Sequence, residues 1–143
     1  MGLVDSRTGI EVMERSECLS LLDAEFVGRL AILDGGTPLI LPINYALDGE
    51  HVVFRTAAGA KISAKNRPAC FEIDGHDDEQ HLGWSVVIRG RLEEVTTHQA
   101  HLFDRLADLP QPWALGDKPH VMRLVPDSIQ GRRVTGNEAP PAR

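Results

Sequence analysis

The chain has 143 residues, of which 42% are hydrophobic and 25% charged, so its length and composition suit a single globular domain with one core. Its 15 Lys and Arg against 21 Asp and Glu give a net charge of −6, which argues against a protein that tracks nucleic-acid phosphates. No apolar stretch approaches the roughly 20 residues of a membrane helix, and the charged N-terminus lacks a secretion signal, so we expect a cytoplasmic protein without membrane or nucleic-acid partners.

The N-terminal part of the chain predicts one helix. Residues 1–13 carry mixed charges and are expected to be loose. A helix is predicted over Glu14–Glu25, because apolar residues recur on one face at helical spacing, and Gly28 suits its exit. Cys18 on this helix and Cys70 on a later apolar strand are interpreted as reduced core residues.

Six strands follow in the order of an antiparallel meander. Turn signals at Asp34–Gly36 and Asp48–Gly49 join the first three strands as hairpins. Pro38 and Pro42 place the second strand at an edge, a bulge or an irregular stretch, and Gly90 indicates a bend or bulge in the fifth. The predicted strands are 29–33, 39–47, 51–56, 69–74, 83–95 and 120–125.

The remaining segments connect these strands. A short helix is predicted over 61–66, an acidic loop over 75–80 and a second amphipathic helix over 97–109. Residues 136–143 are polar and Pro-rich, and we expect a disordered tail. The prediction is therefore one mainly β domain over 14–135, a small closed or half-closed antiparallel barrel with peripheral helices.

The segment Arg55–Lys61, which we name the cradle loop, is the best candidate for binding chemistry. A strand ends in Arg55 and Thr56, and residues with small side chains then lead to Lys61 in the first turn of a predicted helix. Small side chains let backbone N–H groups approach an oxyanion, and Arg and Lys supply positive charge. The spacing matches neither a P-loop nor a dinucleotide fingerprint, so an ordinary solvated loop remains an alternative.

Other reactive constellations are rejected. His76 and His81, in the acidic loop, lack a second ligand pair, as do His98 and His101 on the second helix, so no metal site is predicted. Ser85 is not at a strand-to-helix elbow, and Cys70 lacks an electropositive setting, so neither is a predicted nucleophile. The consecutive Glu93 and Glu94 fall on opposite faces of a strand, so any reactive group is expected from a bound cofactor.

Taken in order, six segments resemble the pyridoxamine 5′-phosphate oxidase-like, FMN-binding split-barrel family. No single motif is specific, whereas their order and spacing together are. The segments are VGRLA (27–31), PLILPINY (38–45), DG (48–49), FRTAAGAK (54–61), NRPACFEID (66–74) and WSVVIRGRLEEV (84–95), with a weaker echo over 122–132.

The resemblance implies a six-stranded antiparallel split barrel that forms a homodimer, with FMN at the interface between two copies. Arg55 and Thr56 are then expected to contact the phosphate region, with Gly59, Ala60 and Lys61 completing its cradle. The backbones of Pro42, Ile43 and Asn44 are expected to pass the flavin ring, and Ser85 and Val86 to face the ring or the ribityl chain.

The implied activity is an FMN-dependent oxidoreductase acting on an unidentified small molecule. Pyridoxamine phosphate is not the expected substrate, because the additional arginines and the C-terminal segment of the true oxidases have no match here. Many relatives have histidine where Arg55 stands, and relatives of this size bind FMN, a deazaflavin coenzyme or haem. The alternatives are a non-enzymatic FMN-binding module and a deazaflavin-dependent reductase, for which Lys65, Arg67 and Arg132 are candidate cations.

Overall fold

The computed structural model describes residues 4–5, 8–95 and 120–134, so the predicted second helix and the C-terminal tail lie outside the described residues. The elements are β1 (Val4–Asp5), β2 (Ile10–Met13), α1 (Arg15–Ala24), β3 (Val27–Asp34), β4 (Thr37–Asn44), β5 (Ala46–Asp48), β6 (His51–Thr56), α2 (Ala60–Ser63), β7 (Pro68–Asp77), β8 (Leu82–Glu94) and β9 (His120–Val134).

All the strands pair antiparallel in one curled sheet of order β1-β2-β9-β8-β7-β3-β4. The long strand β9 has β8 on one side, whereas its other side pairs with β6 near its start and with β2 near its end. β4 lies beside β6, but among the described residues no ladder joins them. This opening between β4 and β6, which we name the split, makes the barrel half-closed, and the predicted mainly β split-barrel fold is confirmed.

Alternation along the strands builds the core inside the curl. Leu30, Phe71, Ile88 and Ile129 stand side by side on four neighbouring strands, and all four are buried. Gly131 lies in the same β9 stretch, where an added Cβ would come within 2.5 Å of the Cys18 Sγ atom. The missing side chain at 131 therefore lets α1 pack closely onto the sheet.

The strand boundaries differ from the prediction in two places near the N-terminus. Residues 10–13 are not loose, because Ile10–Met13 pairs with the end of β9 and extends the sheet. Gly28 does not end the helix but lies inside β3, where a Cβ would stand 2.1 Å from the ring of Phe71. Position 28 therefore requires glycine because the ring of Phe71, on a distant strand, occupies the space of a side chain, and not because the helix ends there.

The predicted strand 39–47 is two strands, separated by Tyr45. The Tyr45 side chain is buried, its hydroxyl donates to the Leu22 carbonyl at 2.6 Å, and its backbone N–H donates to the Phe26 carbonyl at 3.0 Å. These bonds turn the chain out of the β3–β4 ladder and into the β5–β6 hairpin. The described part of the chain therefore has nine strands where six were predicted, with β1 and β2 as the other additions.

Other local predictions are refined. Pro38 and Pro42 lie on β4, which pairs only with β3 in the described chain, as expected of an edge strand. The ladder between β8 and β9 shifts register at Arg89 and Gly90, which confirms the predicted irregularity. The acidic segment is mostly a hairpin rather than a loop, because β7 runs to Asp77 and β8 starts at Leu82.

Candidate functional site

The cradle loop begins where β6 ends against β9. Arg55 pairs with Val121 and Thr56 with His120, so alternation sends the two side chains to opposite faces of the sheet. Arg55 lies half-buried on the outer face, and its Nε atom is shielded from solvent. Thr56 is buried and its hydroxyl donates to the Ala57 carbonyl at 3.1 Å, so Arg55 is better placed than Thr56 to meet a ligand at the surface.

Gly59 gives the loop its sharp turn before α2. Its backbone has φ 146° and ψ −156°, a conformation open essentially to glycine only, and nothing lies within 4 Å of the position of an added Cβ. The helix that follows is Ala60–Ser63, shorter than the predicted 61–66. A single turn adds little helix dipole, so attraction for an anion comes mainly from Arg55 and the half-buried Lys61.

Backbone hydrogen bonds fix the segment that follows the cradle loop and α2 to β8. The Asn66 N–H donates to the Leu92 carbonyl at 2.7 Å, and the Leu92 N–H donates to the Arg67 carbonyl at 3.1 Å. Within the turn itself, the Ser63 N–H donates to the Gly59 carbonyl at 3.0 Å. The segment 55–67, which contains the cradle loop and α2, is therefore anchored to β9 at its start and to β8 at its end, which reduces the entropy lost when a ligand binds.

Glu94 links the start of β9 to the segment that follows α2 through its carboxylate. One oxygen lies 2.8 Å from the His120 Nδ1 atom, and the other lies 3.6 Å from the Lys65 Nζ atom. The hydrogen bond from His120 lowers the pKa of Glu94, with the charge of Lys65 acting in the same direction. Neither Glu94 nor His120 was predicted to have this role, because no local signal in the sequence indicates a contact between residues so far apart in the chain.

The β4 edge approaches the cradle loop across the split. β4, which ends at Asn44, lies beside β6, which ends at Thr56, and no ladder joins the two strands among the described residues. Pro42 is exposed, Asn44 is half-buried and Ile43 is in the core. Of the three residues predicted to pass the ring, Ile43 has its side chain in the core, so only its backbone is left for the predicted contact.

Ser85 and Val86 lie at the other end of the β8–β9 ladder from the cradle loop. Ser85 pairs with Arg132 on β9, eleven positions from the Val121 that pairs with Arg55, or roughly 36 Å of extended strand. The Val86 side chain is fully buried in the core. In a single chain, Arg55 and Lys61 belong to the cradle loop and Asn44 to the neighbouring strand β4, whereas Ser85 and Val86 lie away from the split.

Cys18 and Cys70 differ in placement. Cys18 is fully buried, as expected, and burial raises the pKa of its thiol. Cys70 is not a core residue but lies half-buried on the outer face of β7, in a cleft shared with Ile40 and Glu72. The prediction was wrong there because the apolar Phe71 and Ile73, not Cys70, alternate inward.

Within the described ranges, no three His, Cys, Asp or Glu residues are grouped so that they could hold a metal ion. The same part of the chain has no helix with the length and apolar character to cross a membrane.

Residues 14–133, which include all of this geometry, match the family model described as pyridoxamine 5′-phosphate oxidase. The chain belongs to this family. Among curated members, an uncharacterized protein of Mycobacterium tuberculosis is 39% identical over 88 residues, covering 60% of this chain and 77% of that protein.

Two solved structures of flavoproteins are similar to this chain. The FAD binding protein from Mycobacterium smegmatis is 33% identical, with a TM-score of 0.68 over 85% of this chain and 97% of its own. A FAD-binding protein from Mesorhizobium loti is 27% identical, with a TM-score of 0.66 over 87% of this chain and 97% of its own. Both relatives share the family fold along nearly their whole length.

Proposed function

We propose that this protein binds a flavin nucleotide at the split and works as a flavin-dependent oxidoreductase on a small organic molecule. The observation that carries the proposal is the cradle loop, in which Arg55 and Lys61 flank a turn that only Gly59 can make. The similarity to a FAD binding protein at 33% identity supports the same cofactor class.

The residues at the split fit the phosphate of such a cofactor. Arg55 and Lys61 would bind it through charge-assisted hydrogen bonds, and Gly59 leaves open space for its approach. The two nearby carboxylates do not repel it strongly, since Glu93 accepts hydrogen bonds from Arg123, at 2.9 Å from Nη2, and Glu94 is engaged by His120.

The chain's own contribution is binding and orientation. A bound flavin supplies the redox chemistry, by exchanging a hydride or electrons with the substrate. Asn44 and the backbone from Pro42 would position the ring at the β4 edge. Arg55 and Lys61 would fix the other end of the molecule, so its approach to the substrate is set by two separated anchors.

We further propose that the working unit is a homodimer, with the cofactor between the two copies. Ser85 lies too far from the cradle loop within one chain, whereas a second copy can present its own Ser85 there. The outer surface offers exposed apolar contacts near the split, with Ile40 65% and Phe26 64% exposed. Such side chains on β4 and before β3 are suited to burial between protomers.

FMN is the first candidate, because it is the smallest flavin that carries a phosphate for the cradle loop to bind. FAD is the second candidate, because both flavoprotein relatives are described as FAD-binding. The deazaflavin alternative is less well supported. Of its three candidate cations, Lys65 is paired with Glu94 and Arg132 lies at the far end of β9 from Arg67.

The test is direct titration of the purified protein with FMN and FAD, followed by flavin fluorescence. Lys61→Ala should weaken binding by about 1–3 kcal/mol, the cost of losing a charge-assisted hydrogen bond, or roughly 5- to 150-fold. Arg91→Ala is the control, because it removes a positive charge from an exposed position on β8 outside the cradle loop. Failure of the wild-type protein to bind either flavin would exclude the proposal.

A second measurement separates an oxidoreductase from a flavin-storage module. The flavin-loaded protein is mixed anaerobically with NADH or NADPH and then exposed to an electron acceptor. An oxidoreductase should lose its visible flavin absorbance and then recover it over repeated cycles. A storage module would keep its absorbance unchanged with either donor.

A further inference from the structure

The outer face of the sheet carries an ion pair between two apolar neighbours. Arg29 on β3 pairs with Glu72 on β7, and its Nε atom donates to the Glu72 carboxylate at 2.9 Å. In the same row, Pro42 stands beside Arg29 on β4, and Val87 stands beside Glu72 on β8. All four side chains lie on the outer face, because their neighbours along each strand point into the core.

Within one copy, this ion pair carries more negative than positive charge. The Arg29 Nη2 atom also lies 2.6 Å from Asp74, two residues along β7, so one guanidinium serves two carboxylates. Burial raises the pKa of Glu72, a hydrogen bond with Asp74 acts in the same direction, and together they outweigh the opposing effect of Arg29. The ionised form of Glu72 would therefore be stabilised by a second cation.

The row next to the ion pair is apolar and made of small side chains at its centre. Ala31 and Cys70 pair across β3 and β7, and Ile40, which is 65% exposed, stands beside Ala31 on β4. Together with Arg29 and Glu72, these residues line a cleft of about 260 Å³. Small side chains at the centre of a sheet face allow a second sheet to approach closely, and the exposed Ile40 favours cover by protein.

Asn44 and Ser85 show how a second copy would lie on this face. Asn44 is two residues beyond Pro42 on β4, and Ser85 is two residues before Val87 on β8. Because β4 and β8 run in opposite directions, both residues stand one row from the ion pair on the same side of it. A two-fold axis that runs along the strands, between β3 and β7, exchanges the positions of β4 and β8. It therefore turns the partner's Ser85 toward Asn44.

We propose that two copies of this chain pack through the outer faces of β3 and β7 on this axis, with Arg29 of each copy against the partner's Glu72. The two residues flank the axis symmetrically, so one rotation forms both contacts, and each Glu72 carboxylate gains a second guanidinium. This interface depends on the proposed homodimer and adds the face and the contact that hold it together. The outer faces are convex, so they leave one groove on each side, bordered by β4 of one copy and β8 of the other.

The test exchanges the two charges. Arg29→Glu and Glu72→Arg each set like charges against one another at both symmetric contacts, so each variant alone should sediment as a monomer. An equimolar mixture of the two variants should sediment as a dimer, because opposite charges then meet at both contacts. A protein that carries both substitutions should dimerise by itself for the same reason.

The mixture distinguishes contacts between copies from the ion pair within one copy. The internal pair of Arg29 and Glu72 is broken in the mixture as it is in the single variants, so only contacts between copies can restore the dimer. Arg15→Glu is the matched control, because it breaks the exposed ion pair with Glu50, 2.7 Å long and formed by α1, and should leave the dimer intact. Circular dichroism verifies that each variant is folded.

Single variants that remain dimeric, or a mixture that stays monomeric, would overturn this interface and leave the homodimer itself standing. A wild-type protein that is monomeric would contradict both. Where a charge reversal prevents folding, Glu72→Gln takes its place and should raise the dimer dissociation constant at least about tenfold. An unchanged dissociation constant in that variant would equally overturn the proposal.

Discussion

Gly28 lies under the ring of Phe71, and this contact shows how one missing side chain sets the spacing between β3 and β7. An added Cβ would stand 2.1 Å from the Phe71 Cζ atom. Phe71 is fully buried and stacks edge-on against Tyr45 at a centroid distance of 4.8 Å, so it has little freedom to move away.

Gly28→Ala should therefore destabilise the fold by about 1–3 kcal/mol through overpacking. The measurement is urea unfolding followed by circular dichroism. Gly83→Ala is the control, because a Cβ there meets only ordinary contacts, and it should change the free energy of unfolding by less than about 0.5 kcal/mol. Similar free energies of unfolding of the two variants would show that the Phe71 ring can move aside for the added Cβ.

Tyr45 is the sole tyrosine of the chain, so its ionisation can be followed without interference. Burial raises the pKa of its phenol well above the usual value of 10, with Glu25 and Asp23 adding to the rise. The unfolded chain ionises first as the pH increases, so this group's contribution to stability is present below pH 10 and is lost above it.

The absorbance at 295 nm of the native protein should accordingly stay flat past pH 10 and rise only as the protein unfolds. Denatured protein in urea should titrate near pH 10. A native phenol that titrates normally, with circular dichroism unchanged, would contradict the burial of Tyr45 and its hydrogen bond to Leu22.

At the scale of elements, the strand pattern could be predicted from the sequence, and the contacts between strands could not. Alternating apolar residues and glycine-containing turns predicted the six main strands, because these signals are local. The break between β4 and β5 depends on the hydrogen bond from Tyr45 to the Leu22 carbonyl. The pairing of Ile10–Met13 likewise depends on the distant end of β9. The same holds for the site. The cradle loop has a local sequence signature, whereas the contacts of Glu94 with His120 and Lys65 join residues far apart in the chain and have none.

Glu94 connects three parts of the fold. It is the last residue of β8, and it contacts His120 at the start of β9 and Lys65 after α2. Its pKa is lowered by His120, so its contribution to stability is present above the ordinary carboxyl pKa and is lost as the pH falls below that range. Lys65 supports the same carboxylate from the other side.

Glu94→Gln should therefore destabilise the wild-type fold by about 0.5–1 kcal/mol at pH 7 and by less at pH 3, as expected of a partly exposed ion pair. Urea unfolding across this pH range provides the measurement. Glu79→Gln, in the exposed β7–β8 turn, is the control. A pH-independent difference between wild type and Glu94→Gln would show that the carboxylate does not act through its charge.

At the scale of the whole molecule, one copy of the chain holds only part of the proposed cofactor site. Asn44, Arg55 and Lys61 lie on the elements that border the split, whereas Ser85 stands at the far end of the β8–β9 ribbon. The proposed homodimer would resolve this separation and would cover Ile40 on the outer face of β4.

Ile40→Glu should convert the dimer to a monomer, because it places an unpaired charge in an apolar interface. Sedimentation velocity gives the mass directly. Ile40→Val is the control, because it keeps an apolar side chain at the same position, and it should leave the dimer intact. A wild-type protein that sediments as a monomer at all concentrations would contradict the dimer proposal.

The central claim is that the cradle loop holds the phosphate of a flavin nucleotide. Its most direct test compares the dissociation constants of FMN and riboflavin, which share one ring system and differ by the phosphate alone. FMN should bind at least about tenfold more tightly to the wild-type protein, and that advantage should vanish in a protein that carries both Arg55→Gln and Lys61→Ala. Equal affinities for FMN and riboflavin in the wild-type protein would contradict the account.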